Sequence, residues 1–267
     1  MNRDARSVLL AILFFSLSSG LAGCGGTKVL KDPEPLVLTE SLANAKDEYV
    51  NATLDWVIVR DGPGTWARNA DWDEYLLTIS NSSEEPLRIT SLTVVDMQTV
   101  AVAPGTNRKE LVKGTKQALK RYKGSGVDVK AGRGTGTMIA AGVGATVVGI
   151  GVGTAVAAGS ALGAGAAGVG SAGAVAGGLL LIGPALAVGG VVRGMNNSAV
   201  NNEIEQRQTV LPLSVAPGTE IQTDLFFPIS PSPKQVELVY SDSNGEHRLV
   251  IDTSKVLQGL HIQGPRT

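Results

Sequence analysis

Apolar and polar positions change rhythm several times along the chain. Tyr75 to Ile79 alternates, Asn81-Ser82-Ser83-Glu84-Glu85-Pro86 breaks the pattern, and Leu87 to Val95 alternates again. A period of two marks a strand with one buried face. Two such runs joined by a loop of about four to six residues predict a hairpin. In the second run, Leu87, Ile89, Ser91, Thr93 and Val95 fall on one face, against Arg88, Thr90, Leu92 and Val94 on the other. Leu54 to Val59 predicts a further strand. Later, Val210 to Val215, Glu220 to Pro228, Lys234 to Tyr240 and Arg248 to Asp252 read the same way. Ala216-Pro217-Gly218-Thr219 and Ser241 to Glu246, with Asn244-Gly245 at its tip, supply turns between them.

Short strands spaced by about ten residues suggest a β-sandwich. Each block has too few strands for a good core, but together they make about seven. The expected fold is therefore α+β: one immunoglobulin-like β-sandwich interrupted by an amphipathic helix and a Gly/Ala-rich helical hairpin. Two independent small β units are the alternative.

The rhythm changes to a helical one at Asn107 to Lys123. Leu111, Val112, Thr115, Ala118, Leu119 and Tyr122 form one stripe. Asn107, with Glu110 three positions on, predicts a cap and a Glu reaching back to it, with Thr106 as the alternative cap. The other side carries Arg108, Lys109, Lys113, Lys116, Lys120, Arg121 and Lys123, and Lys130 and Arg133 follow. Such residues beside a membrane segment attract anionic headgroups. They equally suit a solvated helix face.

Between Arg133 and Arg193 charge vanishes for 59 residues. The chain holds 34 Gly, where average usage gives about 19. Of these, 18 lie in this one segment. Ala141, Ala145, Gly149, Gly153, Ala157, Ala161 and Gly165 recur every four residues, which places them on one helix face. Gly173, Gly177, Ala185 and Gly189 follow the same spacing, interrupted by Leu181. Small residues so placed let helix backbones approach closely. Thr137 to Ala158 would reach about 33 Å as a helix and Ala174 to Val192 about 28 Å, each close to a hydrocarbon core of about 30 Å. Gly159 to Gly173 is the expected turn. Disorder, or soluble helical packing against partners, are the other readings of so glycine-rich a run. The pattern of residues 134–192 resembles the glycine-zipper two-pass segments of bacterial envelope lipoproteins and surface antigens, although its turn is longer.

The first residues read as an address. Arg3 and Arg6 precede the apolar run from Val8 to Leu17, and small residues follow it. This is the layout of a secretory signal peptide, too short to span a membrane stably. Leu21, Ala22, Gly23 and Cys24 resemble the lipobox of bacterial lipoproteins. That resemblance implies cleavage before Cys24 and acylation of its sulfur and new amino group, and it accounts for the single Cys of the chain. Two or more acyl chains hold a protein stably on a bilayer. Gly25, where Asp would imply retention in the inner membrane, implies the periplasmic face of the outer membrane. Basic flanks beside spanning helices normally stay cytoplasmic. An exported chain with such flanks again favours later insertion into the outer membrane.

These readings divide the chain into a signal peptide (1–23), an acylated Cys and tether (24–48) and a first β block (49–105). A basic helix (106–133), a zipper hairpin (134–193), a connector (194–209) and a second β block (210–267) follow.

Composition narrows the chemistry. A net charge of −1 removes the basic field that a general nucleic-acid binder needs. One Cys and two His leave little for a metal site or a triad, and both His247 and His261 are expected at the surface. The G-x-G patterns of the insert lack the Lys-Ser/Thr of a phosphate loop. No catalytic residue, metal site or cofactor is expected, and the chain is not expected to be an enzyme. All three Trp, at positions 56, 66 and 72, lie near Asp61, Asp71, Asp73 and Glu74. Trp66 and Trp72 could line a loop that binds a sugar or a cation or sits at a membrane interface; in the other reading Trp56 or Trp72 fills the sandwich core while the acids stay solvated.

The expected role is structural: an envelope lipoprotein whose hairpin inserts in a bilayer or self-associates. The expected packing residues are Ala141, Ala145, Gly149, Gly153, Ala157, Gly173, Gly177 and Gly189. Its expected partners are the lipid bilayer and a further copy or another envelope protein. The alternatives are a pore-forming or secretion-complex component, and a periplasmic glycan- or peptide-binding module.

Overall fold

A computed structural model describes residues 27–33, 35–38, 40–132 and 196–263. The lipobox residues, Cys24 and the zipper positions from Ala141 to Gly189 lie outside the described residues.

The described chain is α+β, built from antiparallel sheets and two helices. In order it runs β1 (Lys28–Val29), β2 (Ala43–Lys46), β3 (Val50–Ile58), β4 (Ala67–Arg68), β5 (Trp72–Asn81), β6 (Leu87–Val95), β7 (Ala101–Val102), α1 (Arg108–Gly124), α2 (Asn196–Arg207), β8 (Leu213–Val215), β9 (Glu220–Pro228), β10 (Gln235–Ser241) and β11 (Glu246–Asp252). One sheet has the order β2-β3-β5-β9. A second has β11-β10-β6-β7, with β8 also pairing β6, and a two-stranded third joins β1 to β4.

The segments before and after the insert are interleaved in both larger sheets. β5 pairs β9 from Trp72↔Pro228 to Ser80↔Glu220, and β6 pairs both β10 and β8. The two sheets share one core, with Val50, Ala52, Leu54, Tyr75, Leu77, Ile79 and Phe227 from the first and Leu87, Ile89, Leu92, Val94, Val236, Leu238 and Ile251 from the second. At one end, the Asp47 carboxylate accepts from Tyr240 Oη at 2.7 Å and from the Val50 amide at 2.7 Å, tying the sheets together.

The strict alternation expected over Leu87–Val95 does not hold. Ser91 pairs Val239 while Ile89 pairs Tyr240, so Thr90 is an extra residue on β6. A bulge of this kind shifts the side-chain phase by one. Leu87 and Ile89 therefore share the core with Leu92 and Val94, not with Ser91 and Thr93. β3 does the same at Asp55, between Leu54↔Leu77 and Trp56↔Leu76, so burial passes from Leu54 to Val57.

α1 starts where its sequence predicts. The Asn107 side chain accepts from the Glu110 amide at 3.0 Å. The Glu110 carboxylate reaches back to the Thr106 amide at 3.1 Å, one residue earlier than expected. Leu111, Thr115, Ala118 and Tyr122 are buried. The expected connector 194–209 contains α2, whose Val200 and Ile204 are fully buried.

Candidate functional site

The body has two ends. At one, β3 ends at Ile58, β5 begins at Trp72 and β9 ends at Pro228. At the other lie Val50, Asn81 and Glu220. The first end gathers the described points at which the chain meets residues 1–26 and residues 133–195.

The N-terminal side comes first. Thr27, three residues after Cys24, is buried, and its hydroxyl donates to the Asn69 carbonyl at 3.2 Å. β1 pairs β4, and the Leu30 amide donates to the Trp66 carbonyl at 2.8 Å. Leu36 packs against Ile58 and Leu76 on the outer face of the first sheet. Thr27 to Leu30 and Leu36 are thus docked, within the stretch to residue 48 expected as a tether. Val29 and Leu36 are too sparse to announce this, and the partner strand is distant in sequence.

The insert side meets the same loop. Arg60 donates from Nε to the Ala70 carbonyl at 2.7 Å and is ion-paired with Asp71. Gly132, the last described residue before the insert, has φ +112°, and a Cβ there would sit 3.5 Å from the Arg60 carbonyl. Lys130 and Gln263 fasten this approach through Lys130 N to His261 O and Gln263 N to Asp128 O, both at 3.0 Å. After the insert, α2 packs Val200 and Ile204 with Trp66, Ala67, Ala70, Trp72, Leu111 and Phe226. Asn201 accepts from the Arg108 amide at 3.0 Å, so the two helices are joined.

α1 crosses this end. Gly114 lies against the Pro228 ring. The Thr115 hydroxyl donates to the Asp71 carbonyl at 2.5 Å and accepts from the Ile229 amide at 2.9 Å. Near its C-terminus Arg121 pairs with Asp96, in the turn after β6.

Trp66 and Trp72 are each 3% exposed, so neither indole offers a face to a ligand. Trp66 meets Phe226 edge-on at 6.1 Å, Arg207 stacks over its ring at 5.0 Å, and its Nε1 donates to Glu74 Oε2 at 2.6 Å. Asp73 and Glu74 are not solvated either. Burial pushes the Glu74 carboxyl up to about 7, outweighing the attraction of Arg207. Arg207 is shared with Glu203 at 2.6 Å. Burial likewise raises Asp224 to about 6, opposed by Arg207. His261, expected at the surface, is fully buried, with Nε2 2.7 Å from Asp73 Oδ2 across a separation of 188 residues. His247 is half-buried and stacks on Tyr240 at 5.0 Å. The local sequence around Asp73 and Glu74 holds no sign of Arg207 or His261, because they arrive from α2 and from the C-terminal segment.

No family model matches the chain, and no curated protein or solved structure matches it.

At the opposite end, three turns enclose a cavity of about 310 Å³ lined by Glu48, Tyr49, Ser82, Ser83, Glu84, Glu85, Asp242 and Asn244. Among the described residues no group of His, Cys, Asp and Glu could hold a metal ion. No described helix is long and apolar enough to cross a membrane.

Proposed function

We propose that the chain is a non-enzymatic envelope lipoprotein, held on a bilayer through Cys24, with a structural or assembly role. In this reading its body is an immunoglobulin-like sandwich, and its glycine-zipper hairpin inserts in the same bilayer or packs against a further copy. The periplasmic face of the outer membrane is the proposed location.

The observation that carries the reading is the shared exit. Thr27 and the α2 helix contact the loop from Arg60 to Asp71 or the strand within it, and Gly132 lies beside the Arg60 carbonyl, which an added Cβ would approach to 3.5 Å. Three residue steps separate Cys24 from Thr27, a reach of about 11 Å at most. An anchor at Cys24 therefore brings this end to the bilayer, and the insert departs from that end. Had the insert left from the Val50–Asn81 end, a strand length of about 30 Å would separate it from the anchored surface.

Fractionation of a Cys24→Ser chain tests this, with residues 134–192 present or replaced by a short Gly/Ser linker. Retention of the insert-bearing chain in alkali-washed membranes, with release of the linker chain, is the expected result. Release of both would remove the hairpin reading.

A further inference from the structure

We propose that the lysine row of α1 is a docking surface for anionic lipid headgroups. It rests on the membrane reading above and adds to it a second, electrostatic contact with the same bilayer.

The geometry begins with spacing. Lys109, Lys113, Lys116, Lys120 and Lys123 advance by four, three, four and three residues. At about 100° per residue they fall within an arc of about 80°, along about 21 Å of helix. Leu111, Thr115, Ala118 and Tyr122, the buried side, lie diametrically opposite. All five lysines are exposed, and none takes part in an ion pair among the described residues. The nearby carboxylates are engaged elsewhere, Glu110 with Thr106 and Asp96 with Arg121. The row is therefore a line of like charges that the protein itself does not neutralise.

Its position selects the occupant. The buried side of α1 is seated on Asp71, Pro228 and Ile229, at the end from which the anchor segment and the insert depart. The lysines stand on the side of the helix away from those contacts. Lysine carries a hydrated point charge on a flexible stem, without the rigid fork by which Arg matches a fixed carboxylate. Five such charges in a row suit laterally mobile headgroups that can gather beneath them better than a partner with fixed acidic positions.

The test uses the full chain carrying Cys24→Ser, floated with vesicles of phosphatidylcholine alone or with about a third phosphatidylglycerol. The expected result is tighter binding to the anionic vesicles, weakening as salt shortens the screening length. Lys116→Gln should lower that preference by about fivefold. The variant K109Q/K113Q/K116Q/K120Q/K123Q should lose it while keeping its thermal midpoint, since all five side chains are exposed. Undiminished anionic preference in both variants overturns the proposal. Binding to the neutral vesicles reads the insert instead. Its absence would count against the hairpin while leaving the lysine comparison intact.

Discussion

Glu74 accepts from the Trp66 indole N–H with its carboxylate buried, and the nearest cation, Arg207 at 3.8 Å, is also held by Glu203. The desolvation cost of the charged form exceeds what this shared cation returns, so the carboxyl titrates near 7 in the fold and near 4.5 when unfolded. Between those values the folded chain holds the proton more tightly. Stability from this group is therefore complete below about 4.5 and is lost as pH rises through about 7. Glu74→Gln keeps an acceptor for Trp66 and removes the charge. Denaturant titrations at pH 5 and pH 8 should show a smaller fall in stability for the variant than for the parent, and an unchanged difference would contradict the assignment. In the sequence, Asp73 and Glu74 read as solvated acids because burial is set by neighbours from elsewhere: His261 for one, and Trp66 with Arg207 for the other.

Elements show a sharper division. α1 was legible almost entirely, because its cap, its apolar stripe and its lysine row are all local consequences of a period of 3.6. α2 was not, because one apolar pair, Val200 and Ile204, among Asn, Glu and Gln residues makes a weak pattern. It becomes a helix with a buried side only when Trp66, Leu111 and Phe226 cover that pair. The seating of α1 depends on Gly114, where a Cβ would come within 2.5 Å of Pro228 Cγ. In an isolated helix Gly114→Ala would add about 1 kcal/mol of stability. Here the stiff proline ring cannot swing aside, and overpacking of this kind costs about 1–3 kcal/mol. Thermal or urea unfolding should show a net loss for Gly114→Ala, and a gain would mean that the contact relaxes freely. β3 and β6 add a related lesson. Their alternation locates the strands, yet the extra residues Asp55 and Thr90 reverse which side chains face the core.

For the molecule as a whole, the interleaving of the two β blocks decides how it can fold. β5 finds β9 and β6 finds β10 only after the chain has passed through the insert. The first block keeps its β2-β3-β5 and β6-β7 pairings and the second its β10-β11 pairing, but each alone lacks the strands that close the core. Polypeptides 27–132 and 196–263 expressed separately should each lack a cooperative unfolding transition. Mixed together, they should regain one transition and the dispersed amide signals of a packed core. Cooperative unfolding of either piece alone would point to two independent units.

The same topology explains how an apolar segment of 59 residues is tolerated within a single body. It leaves from Gly132 and returns at α2, both beside the Arg60–Asp71 loop, so the sheets close without it. The ends also differ in charge. The helix that bears the lysine row is seated on Asp71 and Pro228 at that end, whereas Glu48, Glu84, Glu85 and Asp242 line the cavity at the opposite end.

By itself, the sequence determined what depends on near neighbours: most strand positions, the capped amphipathic helix, the lysine spacing, and the concentration of glycine in one uncharged run. Backbone periodicity and local hydrogen bonding govern these within a few residues of each position. Only the tertiary structure decided the phase of the bulged strands, the burial of Glu74 and His261, and the docking of Thr27 to Leu30 and of Leu36. It also decided that Thr27, Gly132 and the start of α2 gather at one end. Each of these requires residues far apart in the chain to meet, and that meeting is set by how two sheets bury a common core.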